Sequence, residues 1–176
     1  MEDLSLHILD IVENSVAASA DIVKIIISEN KKQDLLSVEI IDNGAGMDKK
    51  TVEKALDPFY TTKTVRRFGL GLPLLSEAAK AANGHLSIQS KKGEGTKIKA
   101  EFQHSHIDRK PLGDMSQTII TLIIGNPGID LVYVHKKDSH TCILDTKKIK
   151  ERLKETPINS PEGIRMIKED LKKIEN

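Results

Sequence analysis

Val38-Glu39-Ile40-Ile41-Asp42-Asn43-Gly44-Ala45-Gly46-Met47 is the stretch whose reading decides the fold. Its first half is β-rich, and alternation places Val38, Ile40 and Asp42 on one face of a strand. An acidic residue therefore ends an apolar strand face, where Asn43-Gly44-Ala45-Gly46 marks a turn. Upstream, 22–28 is a second β-rich run, and the polar loop 29–34 between it and Leu35 predicts a hairpin. Downstream, Asp48 is placed to cap a short helix reaching Leu56. Residues 57–69 lack apolar periodicity and read as a loop. A helix is expected over 70–83, with Pro73 in its first turn and Asn83-Gly84 as its stop. Strands at 85–90 and 96–102 flank the turn Gly93-Glu94-Gly95.

Before the hairpin, 3–20 reads as a helix. At about 100° per residue, Leu4, Ile8, Ile11, Val12 and Val16 share one side. Asp3, His7, Asp10 and Asn14 form a polar stripe on the other, with Glu13 at its edge. The run 14–20 is small and uncharged, which is unusual for a solvent-facing surface.

Composition bounds what such a chain does. With 176 residues, about one domain plus an appendage is expected. Twenty-seven Lys and Arg against 26 Asp and Glu leave +1, no basic excess of the kind that binds nucleic acid through its phosphates. Apolar stretches fall far short of the ~20 residues that span a bilayer, and acidic Glu2 and Asp3 stand where a signal peptide is basic. The one cysteine, Cys142, excludes an internal disulfide and fits a reducing, cytoplasmic setting.

After residue 103 the character changes. A polar linker over 104–117 leads to expected strands at 118–124 and 129–135, a third at 141–144, and helices near 147–154 and 161–174. In the last helix Ile164, Ile167, Leu171 and Ile174 make a narrow stripe suited to packing on its own domain, with a homodimer seam as the alternative. His104, His106, His135, His140 and Cys142 match no zinc-ligand spacing and read as scattered polar positions.

Glycine-rich turns invite phosphate-binding readings. No GxxxxGK[ST] loop occurs, and Gly69-Leu70-Gly71-Leu72-Pro73-Leu74 carries leucine at the third glycine position of a dinucleotide fingerprint. What remains is ordered: a helix with an internal Asn14, a strand ending in Asp42-Asn43-Gly44-Ala45-Gly46-Met47, then Pro58-Phe59-Tyr60-Thr61-Thr62-Lys63, then Gly69-Leu70-Gly71-Leu72 opening a helix, then Gly93-Glu94-Gly95-Thr96 between strands. That series resembles the GHKL ATPases, the superfamily of gyrase, Hsp-type chaperones, MutL-type repair proteins and histidine kinases. It is most similar to the catalytic ATP-binding domain of sensor histidine kinases.

The resemblance implies an α+β, two-layer Bergerat ATP-binding fold over 1–103, followed by a small α+β extension over 104–176. It implies ATP and Mg²⁺ as cofactors. Asp42 then reads the adenine with Thr96, because a carboxylate accepts from the exocyclic amine whereas guanine would present a carbonyl. Gly44, Gly46 and Met47 line the base; Phe59, Thr62, Lys63, Gly69, Leu70, Gly71 and Leu72 belong to the lid and the phosphate-binding helix start; Asn14 holds the metal. For catalysis it implies Asp10, four residues before Asn14, as base, with Glu13 as the other acidic residue and Lys63 supplying charge. Family members commonly carry GxGLGL; here Arg67 replaces the first glycine and the stretch between Lys63 and Gly69 is short, so a small lid is expected, with Lys63 and Arg66 or Arg67 able to add charge from the loop. Thirteen residues precede Asn14, too few for the dimerisation hairpin that bears the accepting histidine. The expected partner is therefore a protein phosphoacceptor or regulatory protein, with transfer to histidine, transfer to serine, and a non-catalytic ATP-dependent module as the open alternatives.

Overall fold

The computed structural model describes residues 3–56 and 71–175. Helix α1 (Leu4–Ala17) precedes the hairpin β1 (Ile22–Asn30) and β2 (Leu35–Asp42), then a short α2 (Lys49–Lys54). Next come α3 (Gly71–Ala81) and a second hairpin, β3 (His85–Lys91) with β4 (Gly95–Gln103). The remainder supplies α4 (Met115–Gly125), β5 (Asp130–Lys137), β6 (His140–Asp145), α5 (Thr146–Leu153) and α6 (Pro161–Glu175). The strands form one sheet in the order β3-β4-β2-β1-β5-β6. All neighbours are antiparallel except β1 and β5, which run parallel.

Register explains why the sheet has one dry face. Ile88, Ile98, Ile40, Ile25, Tyr133 and Leu144 stand side by side across all six strands, an unbroken apolar row. Two residues along, Ser90, Thr96, Asp42, Val23 and Leu131 form a parallel row that turns polar toward the β3 side. The helices cover this face, and Leu4, Ile8, Ile11, Leu75, Ala79, Ile119 and Leu122 join the same core. The other face carries charge, with Glu39 paired to Lys97 at 3.0 Å and Lys99 to Glu101 at 2.7 Å. This is the α+β, two-layer arrangement.

The segment after residue 103 adds its strands to that same sheet and α4 to that same core. One element there differs from expectation: 118–124 lies in helix α4, not in a strand. Its β-branched run favours a strand locally, but the burial is helical, with Met115, Thr118, Ile119, Leu122 and Ile123 turned inward. Asp114 caps the helix by accepting from the Gln117 amide at 2.8 Å. Burial against the sheet overrides the local preference. In α6, Ile167 and Leu171 are buried and Ile174 packs on the core, so these three of the four stripe residues pack on their own chain, while Ile164 is half-buried outside that core. No helix among the described residues is long and apolar enough to cross a membrane.

Candidate functional site

Asp42 ends β2 on the dry face, where β2 passes beneath α1. Both carboxylate oxygens are held there. Oδ1 accepts from the Gly44 amide at 2.9 Å, and Oδ2 accepts from the Ser15 hydroxyl at 2.6 Å. A carboxylate offers about four lone-pair directions, so acceptor capacity is left for a ligand. Beside it, the Thr96 and Ser90 hydroxyls share a hydrogen bond at 2.8 Å, and Ser90 also accepts from the Met47 amide at 2.8 Å. Asn43 accepts from both the Asp21 and Ile22 amides at 2.9 Å, pinning the turn to the start of β1. Gly46 has φ +65°, and a Cβ there would lie 2.0 Å from the Lys91 carbonyl oxygen; only glycine fits.

These groups open onto a cleft of about 520 Å³. Ile11, Asn14, Ser15 and Ala17 of α1 line one side, the 45–48 turn with Thr51 and Ala55 a second, and Leu72, Thr96 and Ile98 complete the lining. A largely apolar cleft with a few convergent polar groups is the usual form of a small-ligand site.

One turn before Asn14, outside the residues that line the cleft, α1 meets the start of α3. Gly71 approaches so closely that a Cβ at that position would lie 1.9 Å from Asp10 Oδ2. That oxygen is buried and has no hydrogen-bond partner, and the same holds for both ring nitrogens of His7 one turn earlier. Burial, then the nearby Lys110 charge, lower the His7 pKa below its usual 6.5 against the opposing pull of Asp10, so the ring is neutral. The Gly71 backbone lies close enough to the ring to favour its charged form more than Asp10 does, and burial outweighs both.

Residues 2–106 match the family of histidine kinase-, DNA gyrase B-, and HSP90-like ATPases. The chain belongs to that ATPase family. It is 36% identical over 77 residues to the sensor histidine kinase WalK of Bacillus subtilis, covering 41% of this chain and 13% of WalK. It is 34% identical over 74 residues to YxdK of the same organism (40% and 23%) and 36% identical over 89 residues to FleS of Pseudomonas aeruginosa (51% and 22%). The chain thus spans less than a quarter of the length of these sensor kinases. The N-terminal domain of a DNA repair protein superposes with a TM-score of 0.58 over 85% of this chain and 56% of that one, at 17% identity, a likeness of fold.

Membership in the ATPase family makes the chain a histidine-kinase-like ATP-binding protein. Around the cleft the structure gathers Asn14, Asp42, Gly46, Met47, Leu72 and Thr96, with Gly44 hydrogen-bonded to Asp42 beside it. Asp10 and Gly71 meet at the start of α3, and neither of them lines the cleft. Glu13 is exposed on α1 and does not line the cleft. Phe59, Thr62, Lys63, Gly69 and Leu70, with Arg66 and Arg67, lie outside the described residues.

Sequence reading missed three participants. Ser15 follows Asn14 and reads as a filler, yet it holds Asp42. Ser90 lies two residues after Ile88 on the same strand face, a period-2 signal that was there to find. His7 reads as a surface position and is instead 1% exposed.

The histidines expected to be scattered are partly gathered. Glu29 on β1 bonds His135 Nε2 at 2.8 Å and His104 Nε2 at 3.3 Å, joining the linker and β5 to the hairpin. His106 and Cys142 stand elsewhere, and no group of three potential ligands among the described residues is arranged for a metal. Burial alone would raise the Glu29 pKa, but the two histidines hold it below 4.5.

Both shifts make the fold acid-sensitive. Neutral His7 stabilises the fold in full above the ordinary value of 6.5, and this is lost as pH falls through its lower folded value. Glu29 contributes in full above 4.5, and this is lost as pH falls through its own depressed value. The melting temperature is expected to decline in two stages, and Glu29→Gln to flatten the lower one. A thermal midpoint unchanged from about pH 7.5 to about pH 5 would contradict the neutral buried imidazole.

Proposed function

We propose that the cleft holds Mg-ATP and that the chain transfers the γ-phosphoryl group to a side chain of a partner protein. The observation that supports this best is Asp42: a buried carboxylate, fixed on both oxygens, with acceptor capacity left toward an apolar cleft. An adenine placed there gives its exocyclic N–H to the carboxylate, with Thr96 adding a second polar contact and Ile98 and Met47 packing its faces. The triphosphate then runs along α1 toward Gly71, where the free N–H groups and positive end of α3 suit anionic oxygens.

Asn14 and Asp10 lie one helical turn apart on the same side of α1, and the oxygen donors they present fit Mg²⁺ chemistry. Asn14 would hold the metal through its amide oxygen, with Asp10 left as base, and the metal when bound neutralises phosphate charge. Asp10 takes the proton of the attacking group, and the partner's side chain is the nucleophile.

Labelled ATP offered to the chain with extracts of neighbouring cellular proteins tests the reading. Acid-labile label on a partner supports transfer to histidine, and acid-stable label supports transfer to serine. ATP bound without any turnover would replace the kinase reading with a nucleotide-dependent binding module. The metal assignment has its own test. Mg²⁺ is expected to tighten ATP binding at least roughly tenfold in the parent and to have no effect on Asn14→Ala, whose fold should be intact. Equal Mg²⁺ dependence in both would remove Asn14 from that role.

A further inference from the structure

The open face of the sheet, turned away from the helices and the cleft, divides into two halves of unlike chemistry. Register sets Ser87, Lys99, Glu39, Ile26, Val134 and Ile143 side by side across the six strands. Over β3, β4 and β2 the charges answer one another, as in the Glu39–Lys97 and Lys99–Glu101 pairs. Over β1, β5 and β6 the row is aliphatic. Ile143 is 60% exposed and Ile22, at the start of β1, is 49% exposed, with Ile26 and Val132 half-buried on the same side. Single aliphatic residues are ordinary on a surface, whereas a contiguous patch marks a site of association.

Two lysines stand in this patch. Lys24 lies between Ile22 and Ile26 on β1, and Lys136 follows Val134 on the same face of β5. Both are exposed, and neither has an ion-pair partner among the described residues. The carboxylates on that half are engaged: Asp130 binds Lys150 at 2.9 Å, and Asp145 accepts from the Lys147 amide at 3.0 Å. Whatever covers the patch buries Lys24, and a buried ammonium needs a counter-charge. A second copy stacked by two-fold symmetry would add lysine to lysine within one contact. An acidic partner supplies what is missing.

The shape of the face selects among acidic partners. The backbone groups of β1 and β5 are used within the sheet, so an extended peptide laid across them would leave its own amides unpaired, whereas a helix satisfies its own. Three neighbouring strands make a strip about 10 Å wide, the width of one helix. The reach from the level of Ile22 to that of Lys136 is about 20 Å, or roughly 13 helical residues. We propose that the open face of β1, β5 and β6 docks an acidic amphipathic helix of a partner protein, its apolar side over Ile22, Ile26 and Ile143 and its carboxylates on Lys24 and Lys136. This site lies across the sheet from the cleft, so it holds a partner without blocking the cleft and is independent of what the cleft binds.

The probe is a synthetic helix of roughly 16 residues with leucines spaced three and four apart and glutamates flanking them, beside a version with lysine in place of every glutamate. Titrated onto the full chain, the glutamate helix is expected to bind at least roughly tenfold tighter than the lysine helix. Ile22→Ser with Ile143→Ser should weaken it at least roughly tenfold. Lys24→Glu with Lys136→Glu should reverse the preference between the two helices, and both variants should keep the parent's melting temperature and ADP affinity. No binding of either helix, equal binding of the two, or parent-like behaviour of either variant overturns the proposal. Self-association of the parent that the serine variant abolishes also overturns it and assigns the face to a second copy. Sedimentation of the parent with phosphatidylserine vesicles, abolished in the same variant, overturns it in favour of a lipid surface.

Discussion

Replacing Asp42 by asparagine is expected to weaken ATP binding by roughly 1–3 kcal/mol, a 5- to 150-fold loss, with little change in melting temperature. The fold should tolerate the change because asparagine keeps one carbonyl oxygen, and the Gly44 amide needs one acceptor. The asparagine NH₂ then falls where Oδ2 was, beside Ser15, whose hydroxyl can turn to accept from it. The ligand suffers instead. Adenine's exocyclic amine meets a donor where it had met an anionic acceptor, and a buried donor facing a donor leaves both unsatisfied. The same exchange favours a base with a carbonyl at that position, so the preference for ATP over GTP should narrow. Titration calorimetry with both nucleotides reads the two effects together. Unchanged ATP affinity would take Asp42, and with it the adenine end of the cleft, out of the account.

How far the sequence reveals this site depends on how local each feature is. The Asp42 turn is legible because its strand, its glycines and its cap all lie within a dozen residues, and the hairpins and α1 follow from unbroken periodicity. Position 7 is not. A histidine on the polar side of an amphipathic helix reads as solvated, and only the arrival of α3 and of the 110–112 strap on that side buries it. The Glu29 cluster joins residues 75 and 106 positions apart, for which no sequence spacing gives a signal. Helix α4 fails for a different reason. In Thr118-Ile119-Ile120-Thr121-Leu122-Ile123-Ile124 every residue but Leu122 is β-branched and favours a strand, and the helical pattern shows only when Met115 and the Asp114 cap are counted with it. The pairing of β5 with β1 is also invisible, because a parallel strand brings no tight turn with which to announce its partner.

That parallel pairing governs the second large effect. A chain cut to residues 1–106, the part that matches the ATPase family, is expected to lose cooperative folding, although its nucleotide-site residues are all retained. Cutting there removes Ile119 and Leu122 from the helical layer and Leu131 and Tyr133 from the sheet, all four buried in the common core. At roughly 1.5–3 kcal/mol for each such side chain the loss is of order 10 kcal/mol, comparable to the whole stability of a typical domain. Hydrogen-bond losses add to it. Strand β1 gives up its ladder with β5 and becomes an edge over Ile22–Asn30, with Ile22, Ile25, Ile26 and Ile27 along an unpaired backbone, a surface prone to association. The first turn of α1 loses the Pro111 and Leu112 carbonyls that satisfy the Leu4 and Ser5 amides. The measurement is a thermal melt of the fragment against the full chain, with ADP affinity taken on both. Aggregation, or a melt without a sigmoidal transition, is the expected result. A soluble fragment that melts cooperatively and binds ADP as the full chain does would mean that the sheet is complete without β5, and that 104–176 serves a separate task.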